Sequence, residues 1–159
     1  MSGATVPEIE AAGRICFDTS PLIYFFQDHP DYAPVLAPIF DRIQAGEAIG
    51  IVSTISLLEI CVRPYQQGQP KLAAEYRQIL SNRPAFILRD LDDLIAMKAA
   101  TLRAESGTPP ALKAPDAVFL ATGVLEHADL LITNDYQLRR FSPLPVLCLS
   151  EVAGNKGRA

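Results

Sequence analysis

Four carboxylates stand where an α/β chain does its chemistry. Asp18 follows at once on the short apolar run Arg14-Ile15-Cys16-Phe17, and Asp135 closes Thr133-Asn134-Asp135 after the run Leu130-Leu131-Ile132. Glu59 lies in the helical stretch STISLLEICVRP behind a further apolar run, and Asp116 opens the helical stretch PDAVFLATGVLEHA. Buried parallel strands present ligand sites at their carboxyl ends, so acids just past strand ends are candidates for one crevice. Carboxylates within several ångströms raise one another's pKa, and such a cluster is relieved only by shared protons or a cation. Hard oxygen donors without His or Cys beside them select Mg²⁺ or Mn²⁺. An ion held there suits phosphodiester hydrolysis, because it activates water for in-line attack and neutralises charge on the scissile phosphate and the leaving oxygen. No side-chain nucleophile is then needed.

Each acid alone has a plainer reading. Asp is a common helix cap, and Asp90, Asp92 and Asp93 read as caps or first-turn acids favoured by the helix dipole. Glu59 is flanked by Leu57, Leu58, Ile60 and Cys61, which makes a solvated surface acid an awkward reading for it. His29 and His127 are not spaced as metal ligands, and His127 near a helix C-terminus has a dipole explanation. The functional case rests on the set, provided that the first, second and fourth strands are neighbours.

The elements that must position these acids alternate along the chain. Strands are predicted at residues 14–17, 47–52, 86–88, 128–132 and 146–149. Helices are predicted at 21–27, 31–44, 53–62, 70–80 and 91–105, from Asp116 onwards, and briefly at 136–141. Pro34 belongs to a first turn, Pro38 implies a kink or a later start, and Arg63-Pro64 is expected to stop its helix. Strands alternating with helices imply a three-layer α/β/α fold around a central parallel sheet. Residues 1–13 read as a loosely held arm and 153–159 as a frayed tail, leaving a single domain over about 14–149.

Composition sets the bounds. With 159 residues, 49% of them hydrophobic, the chain can bury the core of one domain. No apolar run approaches the roughly 18 residues that span a bilayer, and the N-terminus lacks the pattern of a signal peptide, so no membrane association and a cytoplasmic location are expected. Cys16, Cys61 and Cys148 lack metal-ligand spacing and read as reduced, mostly buried thiols. Fourteen basic against 18 acidic residues, a net charge of −4, argue against a broadly basic surface for duplex DNA, although local cations can still guide a phosphodiester.

The acids in this order and spacing resemble those of the PIN-domain nucleases, in particular the small VapC-like toxins of VapBC toxin–antitoxin pairs, over roughly residues 14–149. The resemblance implies an Mg²⁺- or Mn²⁺-dependent ribonuclease in which Asp18, Glu59, Asp116 and Asp135 are the catalytic metal ligands. It further implies that Thr133 supplies a hydroxyl positioning the pocket and that Ser20 fills the place of a small polar residue. Gln137 departs from the pattern, because many members carry a further acid there, which bears on a second metal ion. A homodimer and a protein antitoxin that blocks the pocket, often with a basic side chain, are also implied. The apolar helix at 31–44 and the segment PLIYFFQ could offer surface to such a partner, while their periodicity also reads as core. Lys113, Arg139 and Arg140 are the nearest basic residues and the candidates for RNA phosphate contacts.

Two other readings compete. A haloacid-dehalogenase-like phosphatase with Asp18 as nucleophile predicts a second Asp two residues on, where Ser20 stands. A non-cleaving PIN-like scaffold that binds RNA or protein would be expected to have lost ligands, whereas all four acids are present.

Overall fold

Five short apolar runs become strands because neighbouring strands satisfy their backbones and helices cover their faces. In a computed structural model, which describes residues 6–153, these are β1 (Arg14–Phe17), β2 (Ile49–Ser53), β3 (Phe86–Arg89), β4 (Leu130–Thr133) and β5 (Val146–Cys148). All pair in parallel, in the order β3-β2-β1-β4-β5. Phe17 lies beside Val52 on one side and Ile132 on the other, so the first, second and fourth strands are indeed neighbours. The chain steps outward from β1 to β3 and then returns to the far side of β1. That places a topological switch point between β1 and β4, where α/β sheets open a crevice.

The helices are α1 (Val6–Ala11), α2 (Thr19–Phe26), α3 (Ala33–Gln44), α4 (Thr54–Gln66), α5 (Pro70–Leu80), α6 (Asp93–Glu105), α7 (Ala114–Leu125) and α8 (Leu149–Ala153). A 3-10 helix, Tyr136–Arg140, joins β4 to β5. The two-residue period of the strands divides the core. Ile15, Phe17, Val52 and Ile132 pack with Leu22, Leu36, Ile43 and Leu80 of α2, α3 and α5. Cys16, Ile51 and Leu131 pack on the opposite face with Ile95, Leu102 and Leu120 of α6 and α7. The layering is therefore α/β/α, as the alternation predicts. Cys16 and Cys148 are buried, Cys61 is half-buried, and all three are free thiols.

The sequence expectations fail at several ends. Residues 6–11 form α1 instead of a loose arm: Ile9 packs on the core, and the Arg42 guanidinium donates to the carbonyls of Ile9 at 2.8 Å and Ala12 at 3.0 Å. The rest of the predicted arm, residues 1–5, lies outside the described residues. Pro64 does not stop α4, which runs on to Gln66. Its ring is buried beside a hollow that it lines with Leu72 and Tyr76 of α5, and its carbonyl accepts from Gln69 N at 2.8 Å. Pro38 likewise lies within a continuous α3. Leu149 leaves the last strand to begin α8, whose Val152 packs against the core; of the predicted tail, residues 154–159 lie outside the described residues. Among the described residues no helix is long and apolar enough to cross a membrane.

Candidate active site

Asp18 leaves β1 and caps α2. Its Oδ1 accepts a hydrogen bond from Thr19 N at 2.6 Å, satisfying an amide that the helix leaves unpaired. Its Oδ2 accepts from Thr133 Oγ1 at 2.7 Å, across the β1–β4 boundary. Asp18 is 8% exposed, and burial raises its pKa; the bonds from Thr133 and Thr19 N oppose the shift and the charge of Asp135 adds to it.

Thr133 is fully buried, and its Oγ1 also accepts from Asp135 N at 3.0 Å. One hydroxyl therefore fixes the carboxylate at the end of β1 and the backbone of the acid that follows β4. Asp135 itself is exposed and caps the 3-10 helix, its Oδ1 accepting from Gln137 N at 3.0 Å.

Asp116 reaches the same crevice from the opposite layer. It lies in the first turn of α7 and is half-buried, with its pKa pushed up to about 6 by burial and then by the charges of Asp18 and Asp135. Lys113 opposes that shift and Glu59 adds to it, so all three other acids act on Asp116. Glu59 projects from α4 and is raised by burial and by Asp18, against hydrogen bonding with the Thr19 side chain. It is exposed, contrary to the expectation drawn from its apolar neighbours. Leu58 beside it is 62% exposed, so this face of α4 is apolar yet open to solvent.

The donor set suits a hard divalent cation. All four groups offer oxygen, three of them have raised pKa values, and among the described residues none of the four pairs with Lys or Arg within 4.0 Å. Among the described residues no three of these acids are already drawn together as a finished ligand cage. They are coupled through charge.

The basic candidates separate. Lys113 is exposed at the N-cap of α7, three residues before Asp116. Arg140 is exposed, with its guanidinium carbon 5.3 Å from the centre of the Phe141 ring. Arg139, expected beside it as a phosphate contact, has another partner: its two terminal nitrogens donate to Glu151 at 2.8 and 2.6 Å. Ser20 is half-buried in the first turn of α2, but the hydroxyl that reaches across to α4 belongs to Thr19, 2.9 Å from Ser56 Oγ. Sequence reasoning passed over Thr19, Ser56 and Asn134. Ser56 stands one helical turn before Glu59 on the same face, a spacing that could have singled it out.

A model of the PIN domain matches residues 15–143, from β1 through the 3-10 helix. The chain belongs to the PIN-domain family. All four acids of this PIN domain lie within the matched span, and α8 lies beyond it. No curated relative matches the chain. Among solved structures it is similar to a chain of a toxin–antitoxin complex from Klebsiella pneumoniae, with 27% identity and a TM-score of 0.61 over 86% of this chain and 97% of that one. A chain of VapBC2 from Rickettsia felis, bound to a DNA fragment from its promoter, shares the fold at 18% identity and a TM-score of 0.63, over 84% of this chain and 96% of that one. A chain of FitAcB from Neisseria gonorrhoeae does so at 17% identity and a TM-score of 0.63, over 86% and 98%.

Proposed function

We propose that this PIN domain is a divalent-cation-dependent endoribonuclease and the toxin of a toxin–antitoxin pair. The observation that carries the reading is the joint action of Asp18, Asp135 and Glu59 on Asp116, which Lys113 offsets only in part; among the described residues none of the four acids is in an ion pair, so excess negative charge gathers at the switch point of the sheet. Asp18, Glu59, Asp116 and Asp135 would hold Mg²⁺ or Mn²⁺. When bound, such an ion supplies Lewis-acid stabilisation of the scissile phosphate and a water acidic enough to attack it.

The chain's own residues do the rest. Thr133 and Thr19 N hold Asp18 in one orientation, so this acid does not have to be ordered during turnover. With its pKa pushed up to about 6, Asp116 holds a proton in mildly acid solution that a bound cation would displace, which links its ionisation to occupancy of the site. Lys113, exposed at the mouth of the crevice, is placed to receive a phosphate flanking the scissile one, with Arg140 a second candidate. The toxin role and a protein antitoxin as partner are supported by the likeness to a chain of the Klebsiella pneumoniae toxin–antitoxin complex; an antitoxin seated over the crevice and a homodimer complete the proposal, on the resemblance of the acid pattern to the VapC-like toxins. The exposed Leu58, Val62 and Tyr65 on the helix that bears Glu59 add support for a protein partner.

The test is cleavage of single-stranded RNA with Mg²⁺ or Mn²⁺ by the wild type and by Asp18→Asn and Asp116→Asn. Loss of cleavage in both variants, and in the wild type with excess chelator, is expected, with the fold unchanged by circular dichroism. Full activity in chelator, or in either variant, would overturn the reading.

A further inference from the structure

α8 lies outside the span matched by the family model, yet it grips the loop that carries Asp135 at two points. At one end, Ser150 N donates to Asn134 Oδ1 at 3.1 Å, and Asn134 Nδ2 in turn donates to the Tyr24 hydroxyl at 3.3 Å. At the other end, Glu151 accepts both terminal nitrogens of Arg139, in the last turn of the 3-10 helix that Asp135 caps. The Arg139 side chain is 18% exposed, and its Nε is buried with no hydrogen-bond partner among the described residues, so among these the guanidinium is committed to one carboxylate. The Arg139 fork keeps the Glu151 pKa below its ordinary value. Asp135 thus sits between two anchors supplied by consecutive residues of α8.

We infer that α8 is a strut for the active site, with Arg139 and Glu151 as positioning residues that set Asp135 for the cation. The inference rests on the nuclease reading for its purpose, but the mechanical link stands on the contacts alone. A planar fork on a carboxylate fixes direction as well as distance. With that fork in place the 3-10 helix is held at its far end, while at its near end Asp135 Oδ1 accepts from Gln137 N and Asp135 N donates to Thr133, leaving Asp135 Oδ2 to face the crevice's other acids or a cation. Groups bonded directly to ligating side chains tune cation affinity by roughly 10- to 100-fold; Arg139 and Glu151 act one step further back, through the 3-10 helix, so the lower end of that range is expected.

The experiment compares the wild type with Glu151→Gln and with Glu75→Gln, an exposed acid on α5 that serves as control. Two quantities are read: hydrogen exchange across the whole cation-free protein, and Mn²⁺ affinity by calorimetry. For Glu151→Gln the inference expects faster exchange confined to residues 134–141 and roughly 10-fold weaker Mn²⁺ binding, with Glu75→Gln unchanged in both. Exchange that is unaltered at 134–141, or that rises equally over the central strands, would overturn the strut, as would Mn²⁺ affinity within twofold of wild type. If the wild type itself binds no Mn²⁺, the nuclease reading fails, and exchange alone then decides whether α8 holds the loop.

Discussion

Thr133 Oγ1 donates to Asp18 Oδ2 at 2.7 Å and in the same place accepts from Asp135 N at 3.0 Å, so two acids far apart in the chain share one buried hydroxyl. This relay crosses the boundary between β1 and β4 at the point where the sheet reverses its order. It is the reason the crevice has a defined geometry before any ligand enters.

Thr133→Val keeps the shape and removes both bonds. It leaves a buried carboxylate oxygen and a backbone amide unpaired, and a loss of about 1–3 kcal/mol is expected in urea unfolding. Without the Thr133 bond that now opposes it, the Asp18 pKa moves further up. Thr133→Ser, which retains the hydroxyl, is expected to recover most of the RNA cleavage that Thr133→Val loses.

The elevated Asp116 gives the cation-free protein a pH signature. Its folded pKa of about 6 lies above the ordinary 3.8, so between these values the folded chain holds a proton that the unfolded chain has released. Stability therefore falls as pH rises from about 4 to about 6 and is level above that. Asp18 and Glu59, also raised, act in the same sense. Urea midpoints measured in chelator should show this slope, and Asp116→Asn should flatten it.

Lys113→Ala tests the phosphate contact. The lysine is exposed and lies in no ion pair with another described residue, so the fold should be indifferent to its loss. The expected result is a higher KM for single-stranded RNA with kcat little changed, and a salt dependence of binding shallower by about 0.7 in log–log slope. An unchanged salt slope assigns the contact elsewhere.

Gly50 in β2 reports on the packing that holds the strands. A Cβ there would meet ring atoms of Phe86 at 2.4 and 2.5 Å and Ile43 Cδ1 at 3.3 Å. Phe86 is itself buried, next to Phe40, and cannot swing away freely. Gly50→Ala should cost about 1–3 kcal/mol in thermal or urea unfolding.

The layered fold was legible because each strand is a short apolar run and each helix has its own periodicity. The ends were less so. Pro64 stays within its helix with its ring buried beside a hollow that it lines with Leu72 and Tyr76, and α1 is held by Arg42 reaching back to the carbonyls of Ile9 and Ala12. Both are tertiary contacts with no local signature. In the site, acids at strand ends could be read from sequence, but their supports could not: Thr19 and Ser56 meet across two helices, and the tie from Arg139 to Glu151 depends on how α8 folds back. Arg139 looked like a free cation because its partner lies beyond the last strand.

The central claim is that four carboxylates share one divalent cation. A calorimetric titration with Mn²⁺ at pH 6, in two buffers of different ionisation enthalpy, tests it most directly. The account predicts binding with release of protons from a group near pKa 6, and loss of both the binding and the release in Asp116→Asn. Undetectable binding, or binding that is unchanged in that variant, would contradict it.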